Sequence, residues 1–411
     1  MSDSILYSRL LFPKGHGYPL FCPEPFDDLD EAARKTGSEI GDVGVITWDG
    51  SFDPIFNILR ASNDPSNRYG VPPGFEQVFL GPQDISTRAQ CHLPGSDISN
   101  TTISKRRLDF EAGTESNVFL PVGAGAVVEV STNSKQTGIL LLPDGASRWD
   151  LRSQQLFRDY ALKHAENWYT FVNGNLRRMA GNGDLYLVTG VTKSTSWGVA
   201  AVENHSGEGT LSLKLKAAQI GSAGATYAWE WESAGSSVNA GPRRCAGEEW
   251  RDKQTVFLRG FKVASKWSKA TGPSSPSTPS QLQSSDTNGN SLSWSAFTRT
   301  DPSSTGGSSD DEESLSPSSN YYPSDLINEH LLDCFVDATV AVTHDDEWAS
   351  ILTEQDSEVP ADDELITRVL NKFKMSIVFG GVCLQPLNAN ILPAHTPLSK
   401  RHSTSPRWIV L

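Results

Sequence analysis

A chain of 411 residues with 37% hydrophobic content is long enough to bury at least one sizeable core. Its formal charge of -14 and pI of about 5.0 argue against a constitutive binder of nucleic acid or an anionic membrane, both of which select basic surfaces, and leave room only for a local basic patch. Five scattered cysteines without a CxxC pair, no signal peptide at the start and no apolar run of the ~18–20 residues that span a bilayer predict a cytoplasmic or nuclear protein that is not secreted.

Residues 1–36 are punctuated by Pro and Gly and are predicted to wrap a surface without long elements. Asp42–Phe52 reads as a β-hairpin turning at Asp49-Gly50, where a two-residue turn needs positive φ at both positions. Pro54 and the loop Ser62–Gly74 close that unit, and Gly113–Val130 holds two short β-prone runs. Over Ser147–Val172 the spacing predicts one long amphipathic helix, with Leu151, Leu156, Tyr160, His164 and Trp168 near one face, Phe157 and Ala161 beside them, and Asn173-Gly174 as its stop.

From Asp184 the period changes to two. Leu185–Val191, Trp197–Val202, Thr210–Ile220, Ala225–Glu232 and Thr255–Val263 read as strands of an antiparallel meander, with Trp168, Trp197 and Trp250 in the core. Residues 265–320 are dominated by Ser, Thr, Pro, Gly, Asn and Asp, a composition that cannot offset ordering entropy and predicts a disordered linker. Residues 321–386 read as a small βααβ module: strand Ala338–Thr343, helix Glu347–Leu352, a second helix from Pro360, and strand Ser376–Leu384. Residues 387–411 are expected to be a disordered tail. The predicted class is α+β, a mainly antiparallel β body (1–264) with one long helix, a linker and the small module.

Each candidate for chemistry competes with a plainer reading. Gly190-Val-Thr-Lys193-Ser194 follows a strand and echoes a phosphate-binding loop, but its glycine spacing is wrong, so a hairpin turn is preferred. His344-Asp345-Asp346-Glu347 offers four potential metal ligands at a strand-to-helix junction, where helix capping is the simpler role. Tyr227, Trp229 and Trp231 line one face of a strand and Glu230 and Glu232 the other. Exposed, they would suit sugar stacking and glycoside chemistry; packed on a core, they are an ordinary amphipathic strand. His16 and Cys22 lack a recognisable third catalytic group, and Cys91 and His92 would point apart on a strand. The candidate basic groups are Arg106, Arg107, Arg177 and Arg178. In the linker, Ser308 and Ser309 precede an acidic run, and Ser275, Thr278 and Ser316 precede proline, marking them as candidate phosphosites.

Four runs, Gly15–Pro25, Ile40–Phe52, Gly183–Val191 and Asp337–Trp348, resemble a family of uncharacterised proteins expanded in mushroom-forming (basidiomycete) fungi. The resemblance spans both ordered parts and implies family membership; it carries no activity and no functional residues. No cofactor or metal is expected. The leading expectation is a non-enzymatic intracellular binding or scaffold protein with an unidentified protein partner. Two alternatives stand beside it. One is a membrane-perforating effector, from a distant likeness of Leu185–Ile220 to the gasdermin pore-forming domain. The other is a hydrolase assembled from distant residues such as His16, Asp42 and His344.

Overall fold

The computed structural model describes residues 2–109, 126–203, 211–219, 227–232, 237–241, 254–266 and 322–387. In chain order the helices are α1 (Asp3–Leu11), α2 (Glu31–Thr36), α3 (Gln154–Thr170), α4 (Pro323–Cys334), α5 (Asp345–Ala349) and α6 (Asp362–Lys372). The strands are β1 (Tyr18–Pro19), β2 (Asp42–Ile46), β3 (Phe52–Asn57), β4 (Ile85–His92), β5 (Ser96–Ser99), β6 (Ser104–Asp109), β7 (Ala126–Thr132), β8 (Gln136–Leu142) and β9 (Ala146–Leu151). They continue with β10 (Leu185–Ser194), β11 (Trp197–Glu203), β12 (Leu211–Gln219), β13 (Tyr227–Trp231), β14 (Val238–Gly241), β15 (Gln254–Ser265), β16 (Val340–His344), β17 (Phe373–Val378) and β18 (Gly381–Pro386). The fold is mixed α+β with mostly antiparallel sheets; among the described ladders only β16–β18 is parallel.

The large sheet runs β17-β18-β16-β15-β10-β2-β3, with β9 and β4 branching from β10. Its central strands β10 and β15 are buried along their whole length, so helices must cover both faces. On one face α3 packs Phe157, Ala161, Ala165 and Trp168 against Leu185, Leu187, Phe261 and Val263. On the other, Ile327 and Leu331 of α4 and Leu365 and Val369 of α6 join Trp348 over Tyr186, Ala341 and Val382. Pro54 sits in the edge strand β3, where a missing N–H costs least.

Two four-stranded sheets, β14-β11-β8-β5 and β13-β12-β7-β6, stack face to face. Val130, Leu213, Leu215 and Trp229 of one meet Ile139, Leu141 and Ala200 of the other. The apolar face of β12 is therefore covered by a neighbouring sheet. The outer side of β8 and β11 is closed by Leu6, Tyr7, Leu10 and Leu11 of α1. No helix among the described residues is long and apolar enough to cross a membrane.

Several sequence expectations need correction. Residues 3–11 form a buried helix, capped where Ser2 Oγ accepts from Ile5 N at 3.4 Å, although the surrounding Pro and Gly suggested a wrapping segment. The segment 146–151 is a strand, and the helix starts only at Gln154. Its buried residues are Phe157, Ala161, Leu162, His164, Ala165, Trp168 and Tyr169, so His164, Trp168, Phe157 and Ala161 of the expected face are buried whereas Leu156 is exposed. The five late strands do not form a meander: β10, β11 and β12 go to three different sheets. The hairpin connection is Thr47–Ser51, with Gly50 N donating to Thr47 O at 3.0 Å; Gly50 alone takes positive φ (79°), so Asp49 needs no strained conformation. The C-terminal segment runs α-β-α-α-β-β rather than β-α-α-β, because α4 precedes it and Phe379-Gly380 folds its last strand into a hairpin. Its β16 pairs with β15, extending the large sheet.

Candidate functional site

The cleft originates in a fork. One edge of β10 is shared by two partners: β2 takes Leu185–Leu187 and β9 takes Gly190–Lys193. A bulge between Val188 and Gly190 lies where they part, and Gly41 N donates to Val188 O there at 2.9 Å. A cleft of about 650 Å3 lies beside this fork. Alternation along the strands aims Trp149 of β9 and Val191 of β10 into the floor, beside Ile85, while Ile40, Leu59 and Leu80 form the walls. Phe79 stands at the mouth with 79% of its surface exposed.

Polar groups collect at one end, where α2 lies across the fork. Asp30 caps that helix, its Oδ1 accepting from Ala32 N at 2.9 Å and Ala33 N at 3.1 Å. At the opposite terminus the buried Lys193 ammonium donates to Thr36 O at 2.5 Å, placing a cation at the negative end of the helix. Arg60 Nη2 and Glu39 Oε2 pair across the entrance at 2.7 Å.

A smaller cavity of about 320 Å3 shares Thr36, Glu39 and Arg60 with the cleft and is lined further in by Cys22, Glu24 and Asp42. Asp42 is buried, and burial pushes its acid up to about 7, against hydrogen bonds that favour the carboxylate. Those come from Glu39 N to Oδ2 and from Asn57 Nδ2 to Oδ1, each 2.7 Å.

The His344–Glu347 run is a capping device, and the cap is the histidine rather than an aspartate. His344 Nδ1 accepts from Asp346 N at 3.0 Å, and Glu347 Oε2 accepts from His344 N at 2.8 Å. The acceptor role of Nδ1 puts the ring proton on Nε2, which faces Thr189 Oγ1 at 2.7 Å; that hydroxyl in turn donates to Arg259 O at 3.2 Å. Burial holds the imidazole neutral, its acid lowered to about 4. Asp345 is the hub of a buried polar knot, accepting from the Tyr186 hydroxyl, from Tyr322 OH at 2.6 Å and from Gly260 N at 3.0 Å. These four residues are consumed by structure.

Gly190–Ser194 lies inside β10 and is not a turn; the turn is Thr195-Ser196. Trp229 is core, Trp231 Nε1 donates to Asn239 O at 2.9 Å, Glu230 is exposed, and Glu232 pairs with Lys216 at 2.9 Å. Tyr227 pairs in the ladder opposite Gln219. His16 and Cys22 have separate surroundings: Cys22 Sγ accepts from Asn239 Nδ2 at 3.3 Å, whereas the His16 ring lies 5.1 Å from that of His92. The hydrogen bonds of the residues named for the hydrolase alternative lead to different groups: Asp42 to Asn57 and the Glu39 amide, the His344 ring to Thr189 and the Asp346 amide, while the His16 ring lies against His92. Arg106 and Arg107 lie on β6, far in topology from Arg178, which pairs with Asp53. Trp250 and the candidate phosphosites Ser275, Thr278, Ser308, Ser309 and Ser316 lie outside the described residues. Among the described residues no group of three or more His, Cys, Asp or Glu is arranged to hold a metal ion.

Sequence reasoning missed Trp149, Ile85 and Val191 as cleft residues. The signal was the alternation Arg148-Trp149-Asp150-Leu151, which a helical reading of the same segment overrode. Comparison of the chain with family models, curated proteins and solved structures returned no match.

Proposed function

We propose that this chain is a non-enzymatic intracellular binding protein that receives an apolar group in the cleft at the fork of its central sheet. The observation that carries this reading is the cleft itself, about 650 Å3 with Ile40, Leu59, Leu80, Ile85, Trp149 and Val191 around it. Ligand sites are typically concave, mostly apolar and of order 300–1,000 Å3, with a few polar groups that set orientation. Lys35, Arg60 and Glu39 supply that polar end. A partner protein would reach the same cleft by inserting one aromatic or aliphatic side chain beside Phe79, the way an anchor residue fills a pocket at an interface.

The test is titration of the full chain with 1-anilinonaphthalene-8-sulfonate, followed by fluorescence, against a Leu80→Trp variant that fills the cleft. Saturable binding at one site in the wild type, weakened about tenfold or more by the filling side chain, is the expected result. Equal binding by both, with the variant folded, would remove the cleft from the function.

A further inference from the structure

The strands that floor the cleft carry a different chemistry on their other face. Successive side chains of a strand point to opposite sides, so Arg148 and Asp150 turn away from Trp149. Register then sets their neighbours: Arg88 of β4 stands opposite Arg148 and Ser86 opposite Asp150, while β10 brings Thr192 opposite Arg148 and Gly190 opposite Asp150. Cross-strand partners share a face.

Arg259 reaches this face from β15 across Gly190. A Cβ at position 190 would lie 2.5 Å from Asp150 Oδ1 and 3.0 Å from Arg259 Nε, so the glycine is what lets the two meet. Arg259 Nε binds Asp150 Oδ1 at 2.7 Å and Arg148 Nε binds Asp150 Oδ2 at 2.5 Å. The same Arg259 fixes the border of the patch by donating from Nη1 to His16 O at 2.9 Å and to Thr192 Oγ1 at 3.1 Å. The rings of His16 and His92 close one side, with Lys14 beside them.

Arg148 and Arg259 thus share the Asp150 carboxylate, with Arg88 opposite Arg148 in the ladder and Lys14 close enough to His16 to act on its ring. Arg88 and Arg148 are directly opposite on neighbouring antiparallel strands, an arrangement that repels. Asp150 is already shared by Arg148 and Arg259, and neither Arg88 nor Lys14 has an ion-pair partner among the described residues. In a chain of net charge -14, Arg88 and Lys14 are thus two cations of this face left without a carboxylate among the described residues. Burial first lowers the acids of both histidines; at His16, brought to about 4, His92, Arg148, Arg259 and Lys14 add to it, and at His92 Arg148 and Arg259 do.

We propose that this face binds a phosphoryl dianion, with Arg88 and Arg148 as its two guanidinium donors and Lys14 and His92 at its margin. Guanidinium forks match phosphate oxygens in pairs, and a doubly charged tetrahedral group spans two side chains on adjacent strands as a carboxylate does not. The site is independent of the cleft reading, because it uses the opposite side chains of the same strands.

Calorimetric titration of the full chain at low ionic strength with inorganic pyrophosphate tests it. A parallel arm compares vesicles containing phosphatidic acid with vesicles of phosphatidylcholine alone. Arg88 is exposed and has no ion-pair partner among the described residues, so Arg88→Gln keeps the fold, and it should weaken the response about tenfold, as expected for losing a charge-assisted hydrogen bond. Arg88→Gln combined with Arg148→Gln should abolish it, rising salt should weaken it, and the cleft-filling Leu80→Trp should leave it unchanged. A response to pyrophosphate identifies a soluble phosphate compound as the source, and a response confined to phosphatidic acid identifies a lipid headgroup. No response in either arm, or one that persists in the folded double variant, overturns the proposal.

Discussion

Tyr186 and Asp345 are 159 positions apart in sequence and share a buried hydrogen bond that ties the C-terminal segment to the middle of the central sheet. Around that bond Tyr322 OH, Gly260 N and Trp348 Nε1 also point at the same carboxylate, the last at 3.4 Å. The ring of Tyr322 lies flat on Tyr18, with centroids 5.1 Å apart, so the knot also reaches the N-terminal β1. Replacing Asp345 by Ala would leave these donors facing one another without an acceptor. We expect a loss of about 3–5 kcal/mol, the usual cost of breaking a buried charged network, read as a shift in the urea midpoint. A midpoint within experimental error of wild type would show that the knot contributes nothing.

Stability should fall on the alkaline side of neutrality. Burial pushes the acid of Glu347 up to about 8 and that of Asp42 to about 7. The native chain therefore holds these protons more tightly than the unfolded chain, and the associated stability, complete below the ordinary carboxyl range, is lost as pH rises through about 7 and 8. His16 and His344, lowered to about 4, act oppositely and lose their contribution as pH falls from the ordinary imidazole range. Between pH ~6.5 and ~8 the carboxyls dominate, and stability should decline by about 1 kcal/mol or more per pH unit. Glu347→Gln, which keeps an oxygen for His344 N, should flatten that decline; an unchanged slope by thermal denaturation would contradict it.

Gly190→Ala tests the close approach of Asp150 and Arg259. With a Cβ only 2.5 Å from the carboxylate oxygen, the ion pair must open, leaving a guanidinium 98% buried with a strained partner. A loss of about 2–4 kcal/mol is expected, together with weaker pyrophosphate binding. Retention of both would mean that the strand shifts at little cost.

Lys193→Met probes how α2 is held over the cleft. The ammonium-to-carbonyl contact at Thr36 joins the end of that helix to β10. Its removal should cost about 1–2 kcal/mol and speed hydrogen exchange of the α2 amides more than those of β2. Uniform exchange rates across both elements would assign the lysine a purely local role.

The legible parts of this fold were those in which local pattern and final environment agree. Leu211-Ser-Leu-Lys-Leu-Lys alternates because β12 has one face against a sheet and one toward solvent. Asp49-Gly50 announced a hairpin, and the His344 run announced a helix start. Strand partners were not legible: β10 and β11 follow each other with two residues between them yet enter different sheets, a choice made by long-range packing. Residues 147–151 were lost to a helix because Trp149 and Leu151 belong to either period over so short a run. The cleft and the basic face depend on that strand and its neighbours, so neither was visible before β9 was placed. His16 and His92 were singled out separately, 76 positions apart, and only the pairing of β1 with β15 and β4 with β9 makes them neighbours.

The order in which the sheet is made has a consequence for biosynthesis. β15 ends at Ser265, but β16, which pairs with its Phe261–Ser265 end, begins only at Val340. A ribosome adding roughly 5–20 residues per second needs about 4–15 s to supply that strand. Throughout this interval the Phe261–Ser265 end of β15 presents open backbone groups to every other nascent chain nearby. Messages cut short between these two points would yield polypeptides that carry most of the core and none of its closure, and such products should depend on chaperones far more than the full-length chain does.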